Sequence, residues 1–120
     1  MAIILVIDDD PDMRDLLEEA LVAAGHKPFF AADGKQGLQL LRHTAPDLIV
    51  LDMLMPELDG IEFLKKLPPH GGPKIIAISG APGDWNLLEF ALALGARKTL
   101  AKPFTRGDLI AAINAVLTAG

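Results

Sequence analysis

Residues 47–60 read D-L-I-V-L-D-M-L-M-P-E-L-D-G. Four consecutive aliphatic residues, 48–51, lead directly to Asp52, and Pro56 and Gly60 break the loop that follows. A short, continuously apolar run that ends in turn residues predicts a strand buried on both faces of a sheet. Open α/β sheets bind their ligands at the carboxyl ends of the strands. Because a core strand has no structural need for an acid at that end, Asp52 is the candidate for the chemistry.

Strand and helix patterns alternate five times along the chain, which predicts an α/β fold with a parallel sheet. The predicted strands are residues 2–7, 27–31, 48–51, 74–78 and 97–101. The predicted helices begin after Asp10, at Asp33, near Leu58, after Asp84 and after Thr105, and they end near residue 24, before Pro46, and near residues 67, 94 and 118. Asp10 followed by Pro11 is typical of a helix N-terminus, and Thr105 with Asp108 resembles a capping box.

The composition is that of one globular domain over residues 1–120. About half of the residues are hydrophobic (51%), which excludes disorder, and the chain has no cysteine for a disulfide or a thiolate metal site. The N-terminal residues lack the basic region of a signal peptide and instead predict a strand. No apolar run approaches the roughly 20 residues of a membrane span. We therefore expect a cytoplasmic protein without a membrane segment.

Acidic residues are concentrated at the start of the chain. Residues 1–19 contain seven acids and one base, Arg14, so this segment carries a charge of −6 while the whole chain carries −5. A focus of acids directly after the first strand indicates a cation site. Nothing in the sequence resembles a basic stripe, so we expect no direct contact with nucleic acid.

Four of the five predicted strands end on polar residues. These are Asp8 and Asp9, Asp52, Ser79, and Lys102. In a parallel sheet all carboxyl ends lie at one edge, so these residues should converge although they are far apart in the sequence. Clustered carboxylates need a counter-ion, and a hard site with few carboxylates is the arrangement that Mg²⁺ prefers. With Lys102 and Ser79 to stabilise charge, the implied chemistry is attack by Asp52 on an incoming phosphoryl group.

The sequence resembles a receiver domain of two-component response regulators over essentially its whole length. The matching motifs are residues 6–10 (VIDDD), 51–53 (LDM), Met55-Pro56 with Asp59-Gly60, Ser79-Gly80, Gly95-Ala96 and residues 102–104 (KPF). The resemblance implies a flavodoxin-like (βα)5 doubly wound parallel sheet with strand order 2-1-3-4-5. It also implies a signalling domain that promotes its own Mg²⁺-dependent phosphorylation and dephosphorylation, rather than an enzyme.

The resemblance assigns roles to individual residues. Asp52 is implied to be the phosphoacceptor, supplied by a histidine kinase or a histidine phosphotransfer protein. Asp9 is implied to bind Mg²⁺ (or Mn²⁺) directly and Asp8 through water, with the backbone carbonyl of Leu54 and Asp52 as further ligands. Ser79 and Lys102 are implied to contact the phosphoryl group, and the Lys102–Pro103 bond is implied to be cis. An output domain, a protein partner or a second copy is implied at the face of the fourth helix and fifth strand, where the helix is apolar nearly all round.

Two positions differ from the usual receiver pattern. Thr99 stands where receiver domains usually carry Tyr or Phe, three residues before the lysine. We therefore hypothesise that Ser79 is coupled to residues 80–84 and the fourth helix without an aromatic rotor. Leu54, two residues after the acceptor, cannot orient an attacking water, so we also hypothesise a long-lived acyl phosphate.

Three other functions fit parts of the sequence. An aspartate-nucleophile phosphatase would share the metal and the lysine, but it usually needs a second acid where this chain has Leu54. A flavodoxin-like cofactor binder would need a phosphate-cradling loop, whereas residues 8–10 would repel phosphate. A receiver-like scaffold that works without phosphorylation is the remaining alternative. It stays possible because Thr99 replaces the aromatic residue that usually reports phosphorylation.

Overall fold

The structure, a computed structural model, describes residues 1–54, 59–68, 72–80 and 85–119. Its strands are β1 (Ile3–Ile7), β2 (Lys27–Ala31), β3 (Leu48–Asp52), β4 (Lys74–Ser79) and β5 (Lys98–Ala101). Its helices are α1 (Pro11–Ala23), α2 (Gly34–Leu41), α3 (Gly60–Lys65), α4 (Trp85–Ala93) and α5 (Arg106–Thr118). The strands form one parallel sheet in the order β2-β1-β3-β4-β5, which confirms the predicted fold class.

Two apolar layers cover the sheet. Helices α1 and α5 pack on one face, over a core that includes Val6, Leu21 and Ile113. Helices α2, α3 and α4 pack on the other face, over a core that includes Leu51 and Phe63. Every residue of β3 is buried, as the uninterrupted apolar run predicted, because β3 lies in the middle of the sheet with a core on each side.

Helix starts follow the capping chemistry of the sequence. The side chain of Asp10 accepts a hydrogen bond from the Asp12 N–H, and that of Asp33 accepts one from the Gln36 N–H. Thr105 and Asp108 form the predicted capping box at the start of α5. The predicted cap of α4, Asp84, lies outside the described residues.

The predicted bounds of α3 were wrong. The sequence suggested residues 58–67, but the helix runs from Gly60 to Lys65. Asp59 defines its start, because the Asp59 carboxylate accepts a hydrogen bond from the Glu62 N–H at 2.9 Å. Gly60 also packs tightly on the preceding loop, and a Cβ at this position would lie 2.7 Å from the Met53 Cα. Leu58, the predicted first residue, lies outside the described part of the chain.

Candidate functional site

The carboxyl ends of four strands bring the predicted polar residues to one edge of the sheet. Asp8 follows β1, Asp52 ends β3, Ser79 ends β4, and Lys102 follows β5. Strands β1 and β3 are neighbours, which places Asp8 and Asp52 side by side. The Lys102 backbone N–H donates to the Ser79 carbonyl at 2.7 Å, which extends the β4–β5 pairing to the lysine. The Lys102–Pro103 bond is cis, as predicted.

Lys102 links the two buried acids. Its Nζ lies 3.2 Å from Asp8 Oδ2 and 3.5 Å from Asp52 Oδ2. Asp8 is completely buried and Asp52 is 4% exposed. Burying a carboxylate is costly unless it is paired, so the ammonium group compensates much of the charge that these acids carry into the interior.

Backbone N–H groups hold the other oxygen of each acid. The Asp10 N–H donates to Asp8 Oδ1 at 2.9 Å, and the Leu54 N–H donates to Asp52 Oδ1 at 3.0 Å. Because each Oδ1 is engaged, each Oδ2 is directed towards the lysine. The Leu54 side chain is 45% exposed. The predicted role of the Leu54 carbonyl as a metal ligand stays a prediction.

Three carboxylates can share one cation. Oxygen atoms of Asp8, Asp9 and Asp52 all lie within 4.8 Å of one another, with Asp9 exposed and the other two buried. This is the acid cluster that the sequence predicted. Carboxylate oxygens at this spacing, with one side open to solvent, fit a hard divalent cation that keeps some of its waters. The cluster therefore has the donor set that a magnesium site requires.

The surroundings of Asp52 favour its protonated form. Burial raises the pKa of the Asp52 carboxyl from 3.8 to about 6, and the charge of Asp8 adds to the rise, while the Leu54 N–H and Lys102 oppose it. Burial of the Lys102 ammonium acts to lower its pKa, but the charges of Asp52 and Asp8 outweigh burial, and the net pKa is raised. A divalent cation beside Asp52 would oppose the effect of burial and favour the carboxylate form.

Gly80 is a part of this site to which the sequence analysis gave no role. A Cβ at this position would lie 3.0 Å from both Cβ and Cδ of Lys102. The absence of a side chain thus lets the aliphatic part of Lys102 lie across the end of β4. The signal in the sequence was a glycine directly after Ser79, but only the packing shows what it faces.

A five-stranded parallel sheet in the order β2-β1-β3-β4-β5, with a lysine and three acids at its carboxyl edge, is the arrangement that the resemblance to receiver domains implied. A sequence model of the response regulator receiver domain family matches residues 4–114. The chain belongs to this family, which serves two-component signalling.

Several relatives show how far the similarity extends. The probable chemotaxis protein CheY of Rhizobium etli is 40% identical over 97% of this chain and 92% of its own length. Sporulation initiation phosphotransferase F of Bacillus subtilis is 35% identical over 95% of this chain and 92% of its own. The transcriptional regulatory protein AfsQ1 of Streptomyces coelicolor is 38% identical over the whole chain, which spans only 53% of AfsQ1.

Solved structures agree with the fold. A receiver domain from Clostridium thermocellum matches with a TM-score of 0.87 and 33% identity, over 98% of this chain and 94% of its own. The chemotaxis protein CheY4 of Vibrio cholerae matches with a TM-score of 0.83 and 27% identity, over 97% of this chain and 98% of its own.

None of the described helices is long and apolar enough to span a membrane.

Proposed function

We propose that residues 1–120 form a single receiver domain that accepts a phosphoryl group on Asp52. The observation that carries this proposal is the Lys102 ammonium, which lies between Asp8 and Asp52 beside a cluster of three carboxylates. An Asp52 oxygen would attack the phosphorus of a phosphohistidine, and the bond from phosphorus to the imidazole nitrogen would break. The electron pair leaves with that nitrogen, which takes up a proton, and Asp52 becomes an acyl phosphate.

The acid cluster would hold Mg²⁺ or Mn²⁺ through Asp8, Asp9 and Asp52, with the Leu54 carbonyl as a further ligand. The bound ion would supply positive charge that the transferring phosphoryl oxygens require. Lys102 can stabilise the same oxygens because its Nζ already lies within 3.5 Å of the acceptor. Ser79, which is buried at the end of β4, would donate its hydroxyl to a phosphoryl oxygen.

Incubation with acetyl phosphate and Mg²⁺, followed by intact mass measurement, tests this function. We expect the wild type to gain the mass of one phosphoryl group, and we expect no gain for Asp52→Asn or in the presence of EDTA. Asp12→Asn, an exposed acid in the first turn of α1, is the matched control and should be phosphorylated normally.

Three other outcomes would contradict phosphorylation of Asp52. A folded wild type that never takes up phosphate would leave the phosphorylation-independent scaffold as the function. Phosphate found on another residue would remove Asp52 from its role. Rapid turnover of phosphate esters would favour the phosphatase alternative instead.

The phosphoryl donor would be a histidine kinase or a histidine phosphotransfer protein. Similarity to a sporulation phosphotransferase and to a chemotaxis protein supports this class of partner. The output would be a protein contact at the face of α4 and β5, made with another domain, another protein or a second copy. Leu92, which is 48% exposed on α4, supports a contact there.

Thr99 makes the route of the signal unusual. It lies half-buried in β5 and pairs with Ala77 of β4. Because the residue is a threonine, the aromatic side chain that receiver domains usually carry here is missing. We expect phosphorylation to act through Ser79 on residues 80–84 and α4. Amide NMR spectra with and without beryllofluoride test this. Shifts in residues 80–94 are expected, and their absence would contradict the coupling.

A further inference from the structure

A cleft of about 390 Å³ lies between the C-terminal ends of α3 and α4, at the edge of the sheet opposite the acid cluster. Its apolar walls include Leu64, Leu67, Ile75 and Leu94, and its charged lining includes Lys65 and Arg97. We call this site the α3–α4 cleft. Gly95 leaves one side open, because a Cβ at this position would have no atom within 4 Å.

The α3–α4 cleft is positively charged although the chain has a net charge of −5. Lys65 and Arg97 are exposed and make no ion pair within the described residues. Lys74 also lines the cleft, but its Nζ donates to the Val116 carbonyl at 3.1 Å. No acid is found among the described residues that line the cleft. Its free charge therefore favours an acidic occupant.

Helix α4 extends the apolar surface of the cleft. Phe90 and Leu94 are 58% and 39% exposed, and residues four apart lie on one side of a helix. Because Leu94 lines the cleft, Phe90 lies one turn further along the same side. Leu92 lies on the other side of the buried Ala91, so it belongs to a different surface.

A surface of complementary character lies on α1. Val22 is 57% exposed and shares a shallow depression with Asp15, Glu18 and Glu19. Glu19 is partly neutralised by Arg106, whose Nη2 lies 3.4 Å from Glu19 Oε1. Asp15 and Glu18 make no ion pair with any residue that the structure describes, and the last turn of α1 contains no base. We call this surface the α1 patch.

We propose that the α3–α4 cleft binds the α1 patch of a second copy of this chain. Val22 would enter the apolar part of the cleft, and Asp15 and Glu18 would face Lys65 and Arg97. Charge complementarity favours this occupant, since the α1 patch combines an exposed apolar side chain with unpaired acids, and the cleft combines apolar walls with unpaired cations.

The contact joins two different surfaces. Helix α1 packs on one face of the sheet, and α3 and α4 pack on the other, so one copy would bind the next head to tail. Such a contact adds copies in series as concentration rises, whereas a dimer through identical α4–β5 faces stops at two. Exposed ion pairs are weak and are screened by salt, so we expect a dissociation constant between about 0.1 and 1 mM at low salt.

Sedimentation equilibrium of the full chain, from about 10 µM to about 1 mM, tests the proposal. We expect the weight-average mass to rise beyond that of a dimer and to fall with added salt. Lys65→Glu/Arg97→Glu should weaken association by roughly tenfold or more, and Asp15→Lys/Glu18→Lys should do the same. Lys35→Glu/Arg42→Glu changes the charge equally at exposed sites on and beside α2, and it should have little effect.

Mixing the two charge-reversed proteins separates a specific contact from general repulsion. Each protein alone should stay monomeric. An equimolar mixture should associate again and grow beyond a dimer, because the unaltered cleft of one variant meets the unaltered α1 patch of the other, and the reversed cleft meets the reversed α1 patch. A chain that remains monomeric to about 1 mM at low salt would overturn the proposal. So would association that stops at a dimer, or a mixture that stays monomeric, since an acidic segment of another protein would then be the remaining occupant.

Discussion

Charged side chains are usually exposed and large apolar side chains are usually buried. The acid cluster breaks the first rule, and helix α4 breaks the second. At the acid cluster, Asp8 and Asp52 are charged groups inside the protein. On α4, Phe90 and Leu92 are large apolar groups in contact with water. The first arrangement destabilises the folded state unless each charge has a partner, whereas the second leaves apolar surface that folding does not use. The proposed function would account for both: an ion and a phosphoryl group would bind at the acids, and protein partners would cover the apolar side chains of α4.

The largest contrast between buried and exposed residues should be seen in two phenylalanines. Phe63 on α3 is completely buried, and Phe90 on α4 is 58% exposed. We expect Phe63→Ala to lower the free energy of unfolding by about 3–5 kcal/mol, and Phe90→Ala to change it by less than about 0.5 kcal/mol. Urea unfolding measures both. Equal losses would show that Phe90 is covered in the folded protein and does not contribute a free apolar surface.

A variant of Lys102 tests how much its positive charge contributes at the acid cluster. Lys102→Met removes the ammonium that lies 3.2 Å from Asp8 and 3.5 Å from Asp52 but keeps an aliphatic side chain of similar length. We expect the rate of phosphorylation by acetyl phosphate to fall about 100-fold, because one charge-stabilising donor is lost. Lys35→Met, at an exposed position on α2, is the control. An unchanged rate in a folded Lys102→Met protein would remove Lys102 from the chemistry.

The sequence predicted the acid cluster better than it predicted the surfaces. Asp8, Asp52, Ser79 and Lys102 were found because each one terminates a strand pattern, and parallel strands end at one edge. The start of α3 was missed because apolar periodicity does not show which residue caps a helix, and here Asp59 is the N-cap and Gly60 the first helical residue. The contact between Gly80 and Lys102 could not be predicted, because it depends on two loops that meet only after folding.

The same limit applies to α4. Its sequence is apolar on almost every side, so the pattern could not show which residues face the sheet. The structure separates them: Ala91 is buried, Leu94 just after α4 lines the α3–α4 cleft, and Phe90 and Leu92 are exposed on opposite sides of Ala91. The composition predicted an exposed apolar surface, and only the packing shows that the exposed residues fall on two sides of α4.

A smaller effect concerns the charge of Asp52 in the absence of metal. Its pKa of about 6 lies above 3.8, so the folded state binds this proton more tightly than the unfolded chain does. Protonated Asp52 therefore contributes to the free energy of unfolding. This contribution is fully present below about pH 4 and is lost as the pH rises through about 6. In EDTA, we expect Asp52→Asn to be more stable than wild type by about 2–3 kcal/mol at pH 7.5 and nearly equal at pH 4.

Thermal or urea unfolding across this pH range measures the difference. Asp12→Asn is the control, and we expect less than about 0.5 kcal/mol at either pH. A gain for Asp52→Asn that is the same at pH 4 and pH 7.5 would show that charge burial is not its cause. Addition of Mg²⁺ should stabilise the wild type more than Asp52→Asn, because the variant loses one carboxylate of the cluster.

The smallest effect concerns Leu54. This residue is apolar and exposed, like Phe90 and Leu92 on α4, but it lies beside the buried acids. Its N–H donates to Asp52 Oδ1, but its side chain has no group that could orient a water molecule towards a phosphoryl group on Asp52. We expect Leu54→Asn to speed hydrolysis of the acyl phosphate by roughly three- to tenfold, because an amide can position the attacking water. Loss of the phosphorylated mass over time measures the rate, with Leu54→Ile as the apolar control. Equal rates for Leu54→Asn and wild type would mean that another part of the site governs access of water to Asp52, and that the apolar side chain at this position does not lengthen the phosphorylated state.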